Sequence, residues 1–159
     1  GTALFVLDES NKIFTLIDEK IIIPKTTSEF AINSAYKRFW DPRTSKYIQN
    51  CQEGDEGPRK KNFGMRWVGS LVADASRILI RGGVFLYPAD TREKYSEGRL
   101  RLTYEANPIA FLVEQANGMA TNGIKEILNL DVKKIHQRTA FIFGSKEEVI
   151  EFKNTCNNM

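Results

Sequence analysis

Hydrophobic residues follow a strand-like pattern at the start of the chain. Residues 3–7 and 12–17 are rich in β-forming side chains, and the polar run 8–11 between them predicts a hairpin turn. The apolar triplet 21–23 predicts a further strand, which ends because Pro24 cannot extend a ladder of hydrogen bonds. The chain therefore opens with extended structure.

Helical periodicity appears later. Asp41-Pro42 supplies a capping carboxylate and a first-turn proline, which predicts a helix over 42–52. Apolar residues spaced three and four apart predict a second helix over 67–81. Asn107-Pro108 opens a third, and Ser145 is placed to cap a fourth.

Short apolar runs separate these helices. Residues 84–87 and 140–143 are almost wholly apolar, as in strands that are buried on both faces. Residues 53–62 and 90–97 are polar and charged, which predicts surface loops. The alternation predicts an α/β fold, a layered domain with a mixed, partly parallel sheet flanked by helices. No internal repeat or boundary is found, so residues 1–159 are expected to form a single domain.

Composition narrows the class of protein. The 159 residues are 42% hydrophobic and 27% charged, which is typical of a globular protein, and no apolar run is long enough to span a membrane. A net charge of +3 does not require nucleic acid as a partner. Cys51 and Cys156 match no metal-binding spacing, so two reduced thiols and a cytoplasmic location are expected, with a disulfide between them as the alternative.

Several ordered blocks of sequence carry a resemblance to a known family. They are FAINSAY at 30–36, RWVGSLVAD at 66–74, GGVFLYP at 82–88, GRLRLTYEANP at 98–108, EQANG at 114–118 and IHQR at 135–138. Their order and spacing resemble class I fructose-1,6-bisphosphatase over the whole chain. The resemblance is to the C-terminal half only, because the family's metal motif, Asp-Pro-hydrophobic-Asp-Gly-Ser/Thr, appears nowhere in the 159 residues.

The resemblance implies a function for the longer protein. It would hydrolyse fructose 1,6-bisphosphate to fructose 6-phosphate and phosphate, in gluconeogenesis or a carbon-fixation cycle, using Mg²⁺ or Mn²⁺. The matching half would bind the fructose 6-phosphate moiety, supply one metal ligand and be inactive alone. The family also implies a homo-oligomer, a dimer or tetramer.

The same resemblance assigns candidate binding residues. It places Asn33, Tyr36, Arg66, Trp67 and Tyr87 around the 6-phosphate, with Arg66 reaching into the neighbouring subunit's site. Plainer alternatives remain from sequence alone. Both tyrosines fit core aromatics with hydroxyls at the surface, Asn33 fits a turn residue, and Arg66 fits an exposed charge.

The resemblance assigns three more binding positions, Gly69 and Ser70 to the sugar ring and Arg99 to the sugar phosphate. Gly69 and Ser70 would line the sugar ring at the start of the second helix, although Ser70 equally fits a helix cap. Arg99 stands where the family often has lysine, so the charge is kept but the contacts should differ. Trp67 stands where tyrosine is common, and because it lacks a phenol it is expected to form a wall of the pocket.

Glu105 is the candidate metal ligand. By resemblance it binds a catalytic divalent cation, and magnesium accepts a single carboxylate when other oxygens complete its octahedron. The alternative is a carboxylate that only stabilises the start of the following helix. His136, the single histidine, is assigned no catalysis, and Asp74 is expected to pair with Arg77.

Two other functions stay open. One is a bifunctional phosphatase that also accepts sedoheptulose 1,7-bisphosphate, because Trp67 and Arg99 depart from the family pattern. The other is a non-catalytic module for sugar-phosphate binding or oligomerisation.

Overall fold

The computed structural model describes residues 1–155, which form nine β-strands and four α-helices. The strands are β1 (Thr2–Asp8), β2 (Ile13–Ile21), β3 (Glu29–Ile32), β4 (Gly64–Met65), β5 (Val84–Tyr87), β6 (Leu100–Arg101), β7 (Met119–Thr121), β8 (Arg138–Thr139) and β9 (Phe141–Gly144). The α-helices are α1 (Pro42–Gln52), α2 (Leu71–Arg81), α3 (Asn107–Gln115) and α4 (Lys146–Asn154). Shorter helical turns cover Ser34–Phe39, Glu93–Tyr95, Leu102–Ala106 and Ile127–Asn129.

A five-stranded sheet lies at the centre, in the order β4-β3-β5-β9-β7. Strand β3 runs parallel to both β4 and β5, whereas β9 runs antiparallel to β5 and β7. This confirms the mixed, partly parallel sheet that the alternating pattern predicts. Strands β1 and β2 form a separate hairpin, and β6 pairs with β8.

Helices cover both faces of the central sheet. Along β5, Val84 and Leu86 point to one face and pack with residues of α1 and α4. Phe85 points to the other face and packs with residues of α2 and α3. Because successive side chains alternate across a strand, an almost wholly apolar strand must be buried on both sides. The result is a three-layer α/β/α arrangement.

The hairpin is longer than its sequence pattern predicts. Strand β2 continues to Ile21, so the separate strand predicted over 21–23 is wrong. Beyond β2, the fully buried Ile23 donates its backbone N–H to Ala116 O at 2.8 Å. The chain leaves the hairpin there because this side chain packs into the core beside the end of α3 rather than against another strand.

Helix α2 begins at Leu71, so the predicted start at residue 67 is wrong. Gly69 has φ +84°, a left-handed conformation that cannot continue into an α-helix. The buried carboxylate of Asp74 accepts the backbone N–H groups of Val68 and Gly69, with shortest distances of 3.3 and 3.2 Å. It also pairs with Arg77 at 2.7 Å, as expected.

The other three helices begin in different ways. Asp41 accepts from Thr44 N at 2.7 Å, which confirms the predicted cap of α1. Ser145 precedes α4, but its hydroxyl accepts from Gly83 N at 3.2 Å and caps no helical N–H. Helical structure before α3 begins earlier than predicted, because the turn Leu102–Ala106 runs directly into it.

Cys51 is a buried free thiol, and the expectation for Cys156 lies outside the described residues. Within residues 1–155, no helix is both long and apolar enough to cross a membrane.

Candidate functional site

A small cavity lies where the parallel strands β3 and β5 end. Asn33 directly follows β3, and Tyr87 is the last residue of β5. Since parallel neighbours end at the same edge of a sheet, the two side chains meet there. The cavity measures about 10 Å³ and is lined by Ile32, Asn33, Tyr36, Trp40, Leu86, Tyr87, Pro88, Asp90 and Arg99.

Asn33 is both a turn residue and a cavity residue. Its Oδ1 accepts from Ala35 N at 3.1 Å and so caps the turn Ser34–Phe39. An amide that accepts through its oxygen still carries two N–H donors. The same turn places the Tyr36 ring in the cavity wall, so the two sequence interpretations of Asn33 are compatible.

Arg99 lies between aromatic rings. Its Cζ is 3.7 Å from the ring centroid of Tyr95, 4.3 Å from that of Tyr36 and 5.8 Å from that of Tyr87. A guanidinium over the face of an aromatic ring is held by electrostatic attraction to the π-electrons. Its Nη2 is buried and has no hydrogen-bond partner, although such donors are normally satisfied. Arg99 therefore gives the cavity a positioned cation whose Nη2 can donate a hydrogen bond to a ligand.

Asp90 is the anion of this cluster. Its Oδ2 lies 2.6 Å from Arg92 Nη2 and 3.6 Å from Arg99 Nη2, and the second distance is too long for a hydrogen bond. Burial raises the pKa of the Asp90 carboxyl, but hydrogen bonds from Arg92 and the charges of both arginines outweigh this and lower the pKa below its ordinary value. The carboxylate thus stays ionised at neutral pH.

The sequence interpretation missed Asp90, Arg92 and Tyr95, because it treated 90–97 only as a charged loop. The loop folds back on itself where Asp90 N donates to Tyr95 O at 3.2 Å, and Arg92 packs over the Phe39 ring at 4.0 Å. The sequence signal that could have identified them is the position of Asp90 and Arg92 between two assigned binding residues, Tyr87 and Arg99.

Trp67 supports the cavity from behind. Its ring stacks on Phe85, with centroids 5.5 Å apart and planes inclined by 17°, and meets the edge of Tyr87 at 5.8 Å. Trp67 is absent from the cavity lining, as are Gly69 and Ser70. A Cβ at Gly69 would lie 3.4 Å from the Trp67 indole nitrogen, so Gly69 packs beside that ring.

Arg66 lies away from the cavity of its own chain. It follows the edge strand β4, its side chain is 56% exposed, and its Nε is 3.6 Å from Glu29 Oε1. Arg81 contacts the same carboxylate oxygen at 2.5 Å. Arg66 therefore faces outward at the edge of the sheet.

Glu105 lies in the turn before α3, outside the cavity lining. Its Oε2 accepts from Arg101 N at 2.6 Å, and its Oε1 is 3.4 Å from Arg101 Nη1. Among the described residues, no group of three or more His, Cys, Asp or Glu side chains is close enough to hold a metal ion. Glu105 offers a single carboxylate, an oxygen ligand of the kind that Mg²⁺ accepts.

The arrangement is suited to binding an anion. A guanidinium, two phenols and a carboxamide converge on a small space at the carboxyl end of two parallel strands, and phosphate oxygens accept from all of these groups. The fold and cavity thus define an α/β domain with a candidate phosphate site. A sequence model of the family described as "Fructose-1-6-bisphosphatase, C-terminal domain" matches residues 23–157, and the chain belongs to that family.

Curated relatives carry the corresponding name. A protein from Azorhizobium caulinodans named "Fructose-1,6-bisphosphatase class 1" is 56% identical over 149 residues, which are 94% of this chain and 45% of the relative. Proteins of the same name from two strains of Methylorubrum extorquens are each 52% identical over 149 residues, covering 94% of this chain and 43% of their own. The chain thus spans less than half the length of these relatives.

Proposed function

We propose that the protein containing this chain hydrolyses fructose 1,6-bisphosphate to fructose 6-phosphate and phosphate, and that this chain binds the fructose 6-phosphate moiety. The observation that carries the proposal is the buried, unpartnered Nη2 of Arg99 in a cavity shared with Asn33, Tyr36 and Tyr87. A phosphate oxygen would satisfy this donor. The names of the curated relatives support the choice of substrate.

The donors of the cavity, and Trp67 beside it, have separate roles in this proposal. Arg99 provides the positive charge, and its stacking on Tyr36 and Tyr95 limits the entropy lost when it binds phosphate. The hydroxyls of Tyr36 and Tyr87 and the amide of Asn33 donate to the remaining oxygens. Trp67 packs against the Tyr87 ring and holds it in place. Its role would therefore be packing, whereas a tyrosine at this position would also offer a hydroxyl donor.

Glu105 would contribute one carboxylate to a divalent cation, Mg²⁺ or Mn²⁺. Such a cation would activate water and stabilise charge on the leaving oxygen. Within this chain, Arg101 holds the Glu105 carboxylate in place through its backbone N–H and guanidinium. Because the described residues offer no group of three metal-ligating side chains, we expect the isolated chain to bind ligand without turning it over.

The assembly would complete the site. Arg66 is exposed at the sheet edge and outside its own cavity, which suits an arginine that reaches a neighbouring subunit's phosphate in a homodimer or tetramer. Gly69 and Ser70 would approach the sugar ring of the ligand. A cytoplasmic location would fit a phosphatase of central carbon metabolism.

Calorimetric titration of the 159-residue chain with fructose 6-phosphate tests the binding role. Arg99→Gln should weaken binding by about tenfold or more, because a hydrogen bond to a charged group contributes roughly 1.5 to 3 kcal/mol. Arg138→Gln is the matched control, since Arg138 is exposed and absent from the cavity lining.

Equal losses in the two variants, or no binding by the unmodified chain, would refute the binding role. Sedoheptulose 7-phosphate serves as the comparison ligand. Equal affinity for both sugars would favour the bifunctional phosphatase instead.

A further inference from the structure

The candidate phosphate site contains an acidic residue as well as hydrogen-bond donors. Its small cavity is bounded by Asn33, Tyr36, Tyr87 and Arg99 and also by Asp90. A phosphate that enters this cavity therefore meets a carboxylate beside the cation.

The Asp90 carboxylate is the wall component that chemically resembles the ligand. It is an oxyanion with a side chain only 5% exposed, and it lies beside both Arg92 and Arg99. It satisfies Arg92 well, through contacts of 2.6 Å to Nη2 and 3.1 Å to Nε. It satisfies Arg99 poorly, at 3.6 Å, and leaves Arg99 Nη2 without a hydrogen bond.

The backbone keeps this carboxylate in position. Asp90 forms an isolated bridge with Trp40, and Thr91 N donates to Phe39 O at 2.9 Å, so the loop is tied to the turn Ser34–Phe39. Asp90 Oδ1 accepts from Arg92 N at 3.0 Å, which closes a local turn. These contacts thus position the carboxylate in the cavity wall.

We propose that Asp90 is a built-in competitor for the phosphate, a role that rests on the proposed function. Its carboxylate neutralises part of the charge of Arg92 and Arg99. A phosphate dianion that binds Arg99 repels this carboxylate, and the two oxyanions cannot both remain beside the guanidinium. Binding therefore moves the Asp90 carboxylate away from Arg99, and the work of that movement lowers the affinity for phosphate.

Asp90→Asn tests this effect. Asparagine keeps the size of the side chain and the Oδ1 acceptor for Arg92 N and Nε. It removes the negative charge and replaces the Oδ2 acceptor of Arg92 Nη2 by an NH2 group. We expect this variant to bind fructose 6-phosphate and inorganic phosphate about tenfold more tightly than the unmodified chain, as measured by calorimetry. Glu97→Gln is the matched control, because Glu97 is an exposed carboxylate of the same loop and changes the net charge equally.

Titration of the unmodified chain, followed by ¹⁵N NMR, gives a second measurement that needs no variant. The Nε–H resonance of Arg92 reports its hydrogen bond to Asp90 Oδ1 at 3.1 Å. Saturation with phosphate should shift this resonance as the carboxylate moves.

The outcomes separate this proposal from the proposed function. Tighter binding by Asp90→Asn but not by Glu97→Gln supports the competitor, and so does the shift of the Arg92 resonance. Unchanged or weaker binding of inorganic phosphate by Asp90→Asn, equal gains in both variants, an unmoved Arg92 resonance, or no phosphate binding by any variant overturns it. If Asp90→Asn binds inorganic phosphate more tightly but gains nothing for fructose 6-phosphate, the competitor stands and the proposed function fails.

Discussion

Arg59 joins two helices through a buried carboxylate. Its Nη2 lies 2.7 Å from Glu148 Oε2 on α4, and the hydroxyl of Tyr47 on α1 donates to the same oxygen at 3.1 Å. The guanidinium also lies 3.7 Å from the sulfur of Cys51. Burial, with a smaller contribution from the charge of Glu148, raises the pKa of the Cys51 thiol to about 11, although Arg59 opposes the shift. The thiol is therefore protonated and unreactive at neutral pH.

Arg59→Met should destabilise the fold by about 3 kcal/mol, because it leaves the Glu148 carboxylate buried without its cation. Urea unfolding monitored by circular dichroism measures the change. Lys46→Met on the exposed surface of α1 is the control and should change the free energy of unfolding by less than about 0.5 kcal/mol. A similar small change for Arg59→Met would show that Glu148 does not depend on this ion pair.

At the scale of elements, the helix starts depend on single side chains in different ways. The Asp41 carboxylate caps α1 directly, whereas Ser70 precedes α2 without making any side-chain cap hydrogen bond. In the segment before α2, backbone N–H groups are instead satisfied from inside the helix by Asp74. A capping-type residue before a helix thus stabilises that helix by a hydrogen bond at Asp41 but not at Ser70.

Asp41→Ala should lower the free energy of unfolding by about 1 kcal/mol, the usual cost of losing a helix cap. Ser70→Ala should lower the free energy of unfolding by only about 0.3 kcal/mol, since no cap hydrogen bond is lost. Thermal and urea unfolding of the two variants in parallel provide the comparison. Equal costs would mean that the cap hydrogen bond at Asp41 contributes nothing.

The elements that could be predicted from sequence are those with local signals. Asp41-Pro42 is sufficient to predict α1, because the cap and the proline act within one turn. The start of α2 was mispredicted because Asp74, several residues further along the chain, holds the preceding segment. Ile23 was mispredicted because its backbone N–H bonds to Ala116, far away in the sequence.

The same limit applies to the candidate site. Asn33, Tyr36, Tyr87 and Arg99 were assigned by resemblance, and the structure brings them to one cavity. The position of Asp90 depends on a loop that folds against the turn Ser34–Phe39, which no local pattern encodes. The role of Asn33, Tyr36, Tyr87 and Arg99 in ligand binding stays a prediction.

At the scale of the whole molecule, the β1–β2 hairpin carries apolar side chains that nothing covers in the described chain. At least 47% of each of these residues is exposed: Phe5, Val6, Ile13, Phe14, Leu16 and Ile17. The hairpin lies outside the residues matched by the family, 23–157. An apolar surface of this extent favours association with another protein surface.

We expect the 159-residue chain to self-associate at high concentration through this hairpin. The double variant Phe14→Lys/Ile17→Lys should shift sedimentation velocity profiles towards the monomer, because it places charges on the apolar surface. Ile124→Lys is the control, since Ile124 is 75% exposed but lies in another part of the molecule. A strictly monomeric unmodified chain would contradict this expectation.

The strand order of the central sheet has a consequence for biosynthesis. Strand β9 lies between β5 and β7, yet it is the last of the five to be translated. On the ribosome, the Asn33, Tyr87 and Arg99 side chains therefore emerge before the sheet that supports them can close. A nascent chain that ends before β9 would leave the apolar residues of β5 without their partner strand. Ligand recognition should thus appear only after β9 has been synthesised.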